Sequence, residues 1–171
     1  MGDEDIETRI AALIPRLHRF AWSLTGSRAE ADDLTQATLE RALSHAKSFT
    51  AETPLEAWAI RVAKNLWLDQ LRRKKVRDVA VDPDMLGAGA TPGPERRLEA
   101  QEALAALQAL PDGQREVAAL VLVEGYSYQE AATALRTPIG TVMSRLARAR
   151  RALADLLLGP QTPGVGEGAK L

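Results

Sequence analysis

Apolar residues recur at Ile6, Ile10, Leu13, Leu17, Phe20 and Leu24. That three- and four-residue spacing is one helical stripe. Pro15 falls inside it and predicts a kink or a division, because its ring removes a backbone donor. Gly26 is the expected stop. A second helical pattern runs from about Arg28 to Ala46, with Ala31, Leu34, Thr38 and Ala42 inward. Its other side carries Asp32, Asp33, Gln36, Glu40 and Arg41, a charged face that pattern alone reads as solvated surface. Residues 48–54 (SFTAETP) read as a loop. From Leu55 to Val76 a long helix is predicted, with Trp58, Val62, Leu66 and Leu71 toward the core. Arg61, Lys64, Asn65, Asp69, Arg72 and Arg73 mark its polar side. The closing RRKK suits the negative end of a helix dipole.

Residues 78–93 are too rich in Gly and Pro to hold a helix and read as a flexible linker. Pro94 opens a helix to about Leu110, striped by Leu98, Leu104 and Leu107, and Pro111 breaks it. A further helix from about Asp112 to Glu124 carries Val117, Leu120 and Val121, and Gly125 ends it. The tail after Leu158, GPQTPGVGEGAKL, has little to bury and is expected to be disordered. The pattern therefore predicts an all-α chain of two small helical domains, 1–77 and 94–158, joined by the linker 78–93 and followed by the tail 159–171.

The most informative stretch is YSYQEAATALRTPIGTVMSRLARARRAL, Tyr126 to Leu153. Ser127 and Glu130 have the spacing of a capping box. Thr137 offers an N-cap oxygen, and Pro138 fits a first helical position. Val142, Leu146, Ala149 and Leu153 then share one face, while Thr141, Ser144, Arg145, Arg148 and Arg151 share the other. No acid lies between Ile139 and Leu153. Two short helices, the second with a basic, hydroxyl-bearing outer face, read as a helix-turn-helix suited to the DNA major groove.

Composition narrows the picture. Hydrophobic residues make up 46% of the 171 and aromatics only 4%, with Ala and Leu dominant, which favours helices. Val and Ile form no alternating run, so no sheet is expected. The chain has no cysteine, and His18 and His45 lack partners at metal spacing, so neither a disulfide framework nor a metal or other cofactor is expected. The N-terminus is acidic and without a long apolar run, so neither a signal peptide nor a membrane anchor is predicted and the protein is expected in the cytoplasm. The net charge of −1 is low for a free-standing DNA binder. Charge is segregated, however: residues 61–77 hold seven basic residues and one acid. Such a chain should hold DNA weakly alone and better with a partner that supplies the main electrostatic pull.

The segments DDLTQATLERAL, PLEAWAIRVAKNLWLDQLRRKK and LPDGQREVAALVLVEGYSYQEAATALRTPIGTVMSRLARARRAL, in that order, resemble the extracytoplasmic-function sigma factors of the sigma-70 family. The likeness spans about Leu13 to Leu153. It implies a bacterial promoter-specificity factor without catalysis of its own, partnered by core RNA polymerase and promoter DNA and, in many relatives, restrained by an anti-sigma factor. By resemblance, Asp33, Leu34, Gln36 and Glu40 meet core polymerase. Phe49, Lys64, Asn65, Asp69, Arg72 and Arg73 face the −10 element captured as a single strand, where Trp58 and Trp67 could also stack on bases. Arg136, Thr141, Ser144, Arg145, Arg148 and Arg151 face the −35 duplex, with Arg136 and Arg151 on phosphates. The chain departs from the family where Arg136 replaces a turn Gly, at a cost of about 1 kcal/mol, and where Met143 replaces a common basic residue.

Two other classes compete. A stand-alone helix-turn-helix regulator would dimerise and bind duplex DNA without polymerase, but it has no need for the basic helix of the first domain. A sigma-like protein could keep partner binding and lack promoter reading, a reading that Arg136 and Met143 favour slightly. Enzyme chemistry has no foothold: no nucleophile–base pair, phosphate-cradling Gly loop or metal cluster is evident.

Overall fold

The structure, a computed structural model, describes residues 3–49, 52–76 and 94–159. The predicted linker and tail, and part of the loop before Leu55, lie outside the described residues. Those residues form eight α-helices and no strand. The first group is α1 (Asp3–Ala12), α2 (Ile14–Thr25), α3 (Arg28–Ser44) and α4 (Leu55–Val76), with a 3-10 turn at Ala46–Ser48. The second is α5 (Pro94–Gln108), α6 (Asp112–Ala118), α7 (Tyr128–Leu135) and α8 (Ile139–Leu158).

Pro15 divides the first stripe as expected. The chain breaks at Leu13, and Pro15 sits in the first turn of α2, where its missing N–H is not needed. Gly26 ends α2 at φ 70°, a left-handed cap that glycine adopts without strain. A second constraint acts there. A Cβ at Gly26 would lie 2.7 Å from the side chain of Gln108, which comes from the other group of helices. Ser27 caps α3 by accepting from the Glu30 N–H. Ala31, Leu34, Thr38 and Ala42 are buried, as the pattern predicted.

The buried face of α4 differs from the expected one. Ala59, Ile60, Ala63 and Trp67 are the deeply buried positions, whereas Trp58, Val62 and Leu66 are only half-buried. The reason is that α4 packs against α3 on one flank and α7 on the other. Its innermost line therefore runs between the two flanks, along small side chains. Leu98, expected in the core of the second group, is exposed.

The two groups share one apolar cluster. Phe20, Leu24, Ile60 and Trp67 from the first lie with Val117, Leu120, Leu135, Val142 and Leu146 from the second. The predicted helix through Glu124 holds as far as Ala118 and then widens into a π-turn, Ala119–Val123. There the Glu124 N–H reaches back to the Ala119 carbonyl at 3.0 Å. One added residue per turn swings the next side chain by about 100°, and Glu124 is left buried.

The helix-turn-helix follows its predicted chemistry in most respects. Ser127 accepts from the Glu130 N–H at 3.2 Å, and the Glu130 carboxylate accepts from the Ser127 N–H at 2.8 Å. Arg136 occupies the left-handed region at φ 49°, ψ 47°. The turn is thus kept despite the missing Gly, and Arg136 bears the strain. Arg136→Gly is expected to raise stability by about 1 kcal/mol, read as an upward shift of the urea midpoint with an unchanged slope. The start of α8 differs from expectation by one residue. Pro138 is itself the N-cap, its carbonyl accepting from the Thr141 and Val142 N–H groups, while the Thr137 hydroxyl donates to the Leu135 carbonyl.

Candidate nucleic-acid interface

Two basic surfaces were expected, one on α4 and one on α8. On α4, Asn65, Asp69, Arg72 and Arg73 are exposed on one side. Arg72 pairs with Asp69, and further along Lys74 pairs with Glu30 of α3. The strip is therefore partly neutralised, while Arg73 and Lys75 are exposed. Lys64 departs from this strip. Its ammonium donates to the Leu135 carbonyl at 3.3 Å and lies 3.8 Å from the Glu116 carboxylate, with only 17% of the side chain exposed. Arg61, one turn earlier, donates to the Thr133 carbonyl at 2.9 Å. Both cations thus sit at the carboxyl end of α7, where the last carbonyls and the negative dipole end favour them.

The aromatic candidates divide. Phe49 packs on Trp58, ring centroids 5.7 Å apart, in a small satellite cluster with Ile10 and Leu55. Trp67 is 2% exposed and lies beneath the Arg115 guanidinium, 5.6 Å from its centroid. It is a core residue in this structure and presents no face on which a base could stack.

On α8, Ser144, Arg148 and Arg151 are exposed on the outer face, beside Met143 and Ile139. Thr141 and Arg145 are half-buried at its edge. Arg145 lies across the start of α6, its guanidinium 3.1 Å from where a Cβ at Gly113 would stand. Gly113 makes room for it, and Glu116 lies close enough for the Arg145 charge to act on it. Arg136 is exposed at the turn. On α3, Asp33, Gln36 and Glu40 form an exposed face, with the Gln36 amide donating to Glu40 at 3.2 Å. Leu34 is fully buried, so it supports that face from beneath and offers no atoms to a partner.

Three buried or half-buried charges were not foreseen. Arg115 donates to the carbonyls of Leu107, Gln108 and Leu110 at the end of α5 and to Leu24 at the end of α2, at 2.7–3.1 Å. A signal existed: α5 ends on Gln108 and Pro111 with no capping Gly, so its last carbonyls require an outside donor. Glu124 accepts a forked pair from Arg19 at 3.0 and 3.1 Å, with Arg16 3.5 Å away. Arg16 also pairs with Glu56, which accepts from the Tyr126 hydroxyl. Glu116 is 3% exposed. Burial raises its pKa, and Lys64 and then Arg145 oppose the rise without cancelling it.

A carboxyl group whose folded pKa lies above its unfolded value favours folding below the unfolded pKa. That advantage is lost as pH rises through the folded pKa. Lys64→Met removes the nearest compensating charge and pushes the Glu116 pKa further up. Its stability deficit should be about 1–3 kcal/mol at pH 8 and should shrink toward pH 5, measured by urea unfolding at both. A deficit equal at the two pH values would show that Lys64 does not act through Glu116.

The sigma-70 region 2 family matches residues 10–77, and the sigma-70 region 4 family matches residues 100–153. The chain is 40% identical over 157 residues to the ECF RNA polymerase sigma factor EcfG of Rhodopseudomonas palustris, covering 90% of this chain and 86% of that protein. It is 31% identical over 144 residues to SigM of Bacillus subtilis, covering 82% and 87% respectively. Among solved structures it resembles the Bartonella quintana sigma factor RpoE, crystallised with the anti-sigma factor NepR, at a TM-score of 0.78 and 31% identity over 91% of this chain and 98% of that one. CnrH, solved with the cytosolic domain of CnrY, is similar at a TM-score of 0.65 and 26% identity, covering 92% and 97%. With both sigma regions in order over most of its length, the chain belongs to the extracytoplasmic-function RNA polymerase sigma factors of the sigma-70 family.

Proposed function

We propose that the two groups of helices divide the work of promoter recognition, residues 1–77 engaging core polymerase and the −10 strand and residues 94–158 reading the −35 duplex. The observation that carries this is the outer face of α8 between Ile139 and Leu153, a stretch without an acid. Ser144, Arg148 and Arg151 stand exposed on a helix held by a capped turn, which is the geometry that places a helix in the major groove. Arg136 at the turn and Arg145 at the edge of α8 flank that face, and Thr141 lies near its start. Arg148 reads base edges, and Arg136 and Arg151 hold phosphates.

On the first group, Asp33, Gln36 and Glu40 form the polymerase-facing surface. Asn65, Asp69, Arg72 and Arg73 line the strand-facing one. Lys64 joins them once it is released from α7, and Phe49 marks the loop end of the same face. Such a surface can hold a strand whose bases have left the stack. The chain works in the cytoplasm with core polymerase, without catalysis of its own and under an anti-sigma factor. Support for that last partner comes from the similar Bartonella quintana sigma factor solved with the anti-sigma factor NepR. No described helix is long and apolar enough to cross a membrane.

The test is run-off transcription with purified chain, bacterial core polymerase and a library of promoter fragments, followed by sequencing of the transcripts. Starts that share two spaced upstream elements are expected, and Asn65→Ala should abolish preference at the downstream one. Core binding without specific starts would point to partner binding alone. Specific duplex binding without core binding would point to a stand-alone regulator.

A further inference from the structure

The outer face of α8 carries two rows of side chains with different chemistry. Residues four apart on an α-helix form a row that drifts slowly around the axis. Gly140, Ser144 and Arg148 form one such row, and all three are exposed. Ile139, Met143 and Ala147 form the row beside it and are exposed as well. Ile139 keeps 43% of its surface in water and Met143 51%. An apolar row thus runs along the polar one over the same first turns of the helix.

Single apolar residues are ordinary on a protein surface. This pair is not explained by the fold. Val142, Leu146 and Ala149 anchor α8 from its buried side, and Ile139 and Met143 stand outside the apolar clusters of the described residues. Gly140, between the two, has no reason in the fold either. Its φ is not positive, and a Cβ there would meet nothing within 4 Å. Glycine weakens a helix relative to alanine, so the bare backbone gains the free chain nothing. It does let a docked surface come closer to both rows by the depth of a side chain.

Neither Ile139 nor Met143 can hold a phosphate or exchange hydrogen bonds with a base edge. The major groove offers one base feature that suits them, the C5-methyl group of thymine. An unbranched thioether adapts its shape to such a group and is polarisable enough to hold it. We propose that Met143, flanked by Ile139, packs on a thymine C5-methyl group of the −35 duplex and so selects a base pair by its methyl group. That role rests on α8 lying in the major groove, as proposed above. It adds an apolar reader to the polar ones, Ser144 and Arg148.

The test uses deoxyuridine, which pairs as thymine does but lacks the methyl group. Core polymerase loaded with the full chain is bound to a promoter recovered from the run-off library. Each thymine of the upstream element, on either strand, is replaced in turn, and competition against the unmodified duplex gives the ratio of affinities. At least one position is expected to lose about fourfold, the worth of one buried methyl group. With Met143→Ala that ratio should fall to about one, and Met143→Leu should restore most of it. Because Met143 is exposed, neither variant should move the thermal midpoint. A ratio near one at every position, in a wild-type holoenzyme that still starts transcription specifically, would overturn the methyl contact and leave the function above standing. So would an upstream element with no thymine on either strand. A sensitive position with the same ratio in wild type and Met143→Ala would overturn the assignment to Met143. A chain that directs no specific starts would overturn the function proposed above and the methyl contact with it.

Discussion

Arg115→Ala should cost about 3–5 kcal/mol of stability, more than a surface arginine ever does. The half-buried guanidinium donates to four carbonyls, Leu107, Gln108 and Leu110 behind it in sequence and Leu24 from α2, of which Leu107 also accepts from the Leu110 N–H. Each orphaned carbonyl costs on the order of 1 kcal/mol. The guanidinium also covers the ring of Trp67, so truncation uncovers part of the shared cluster. Burial lowers the Arg115 pKa, and Asp112 opposes this only in part. The residue is therefore held by its hydrogen bonds more than by an ion pair. Arg115→Lys should recover little, because an ammonium cannot span carbonyls from two helix ends as a planar fork does. A thermal midpoint lowered by about 6–15 °C is expected for a chain of this size. A change below 2 °C would mean that water replaces the guanidinium at all four carbonyls. Since the carbonyls belong to both groups of helices, Arg115→Ala should also loosen the packing of one group on the other.

How much of this was legible in the sequence depends on where each interaction begins and ends. Local chemistry was readable. Pro15 and Gly26 divide and stop the first helices, Ser127 and Glu130 cap α7, and the Val142, Leu146 and Ala149 stripe is the buried side of α8. Each of these acts within a few residues along the chain. The face of α4 was misjudged because large side chains dominate a periodic pattern, while the true inner line runs through Ala59 and Ala63 between two packed flanks. Trp67 reads as a possible stacking platform from sequence, because Arg115, which covers its ring, is far along the chain. The sequence puts Arg61 and Lys64 on the polar side of α4 and says nothing of Arg16 and Arg19, because the partners of all four lie 40–105 residues away. No spacing rule reaches that far. The basic outer face of α8 was legible, but the different situations of its arginines were not. Arg145 turns inward because Gly113 leaves a gap and Glu116 supplies a charge, and both belong to another helix.

That difference leads to the second large effect, Arg148→Ala. Arg148 is exposed and stands one turn beyond Ser144 on the outer face of α8, with Val142, Leu146 and Ala149 fixing the helix from behind. A bidentate arginine–guanine contact discriminates by about 1–3 kcal/mol, so promoter-specific transcription should fall roughly 10- to 100-fold while the thermal midpoint stays within 2 °C. Arg145→Ala should differ in kind. It empties the space above Gly113 and removes a charge that offsets the cost of burying Glu116, so it should lower the midpoint as well as transcription. The salt dependence of duplex binding separates base reading from phosphate holding. If Arg148 reads a base, the loss will be confined to promoters carrying one particular base pair, and the salt slope will barely change. If it holds a phosphate, the loss will be uniform across the library and the slope will fall by about one. Arg151→Ala is the internal control for the second outcome. A uniform loss for both residues would leave α8 positioned in the groove without reading through Arg148, and specificity would then have to come from Ser144, Thr141 and Met143 or from the shape of the duplex.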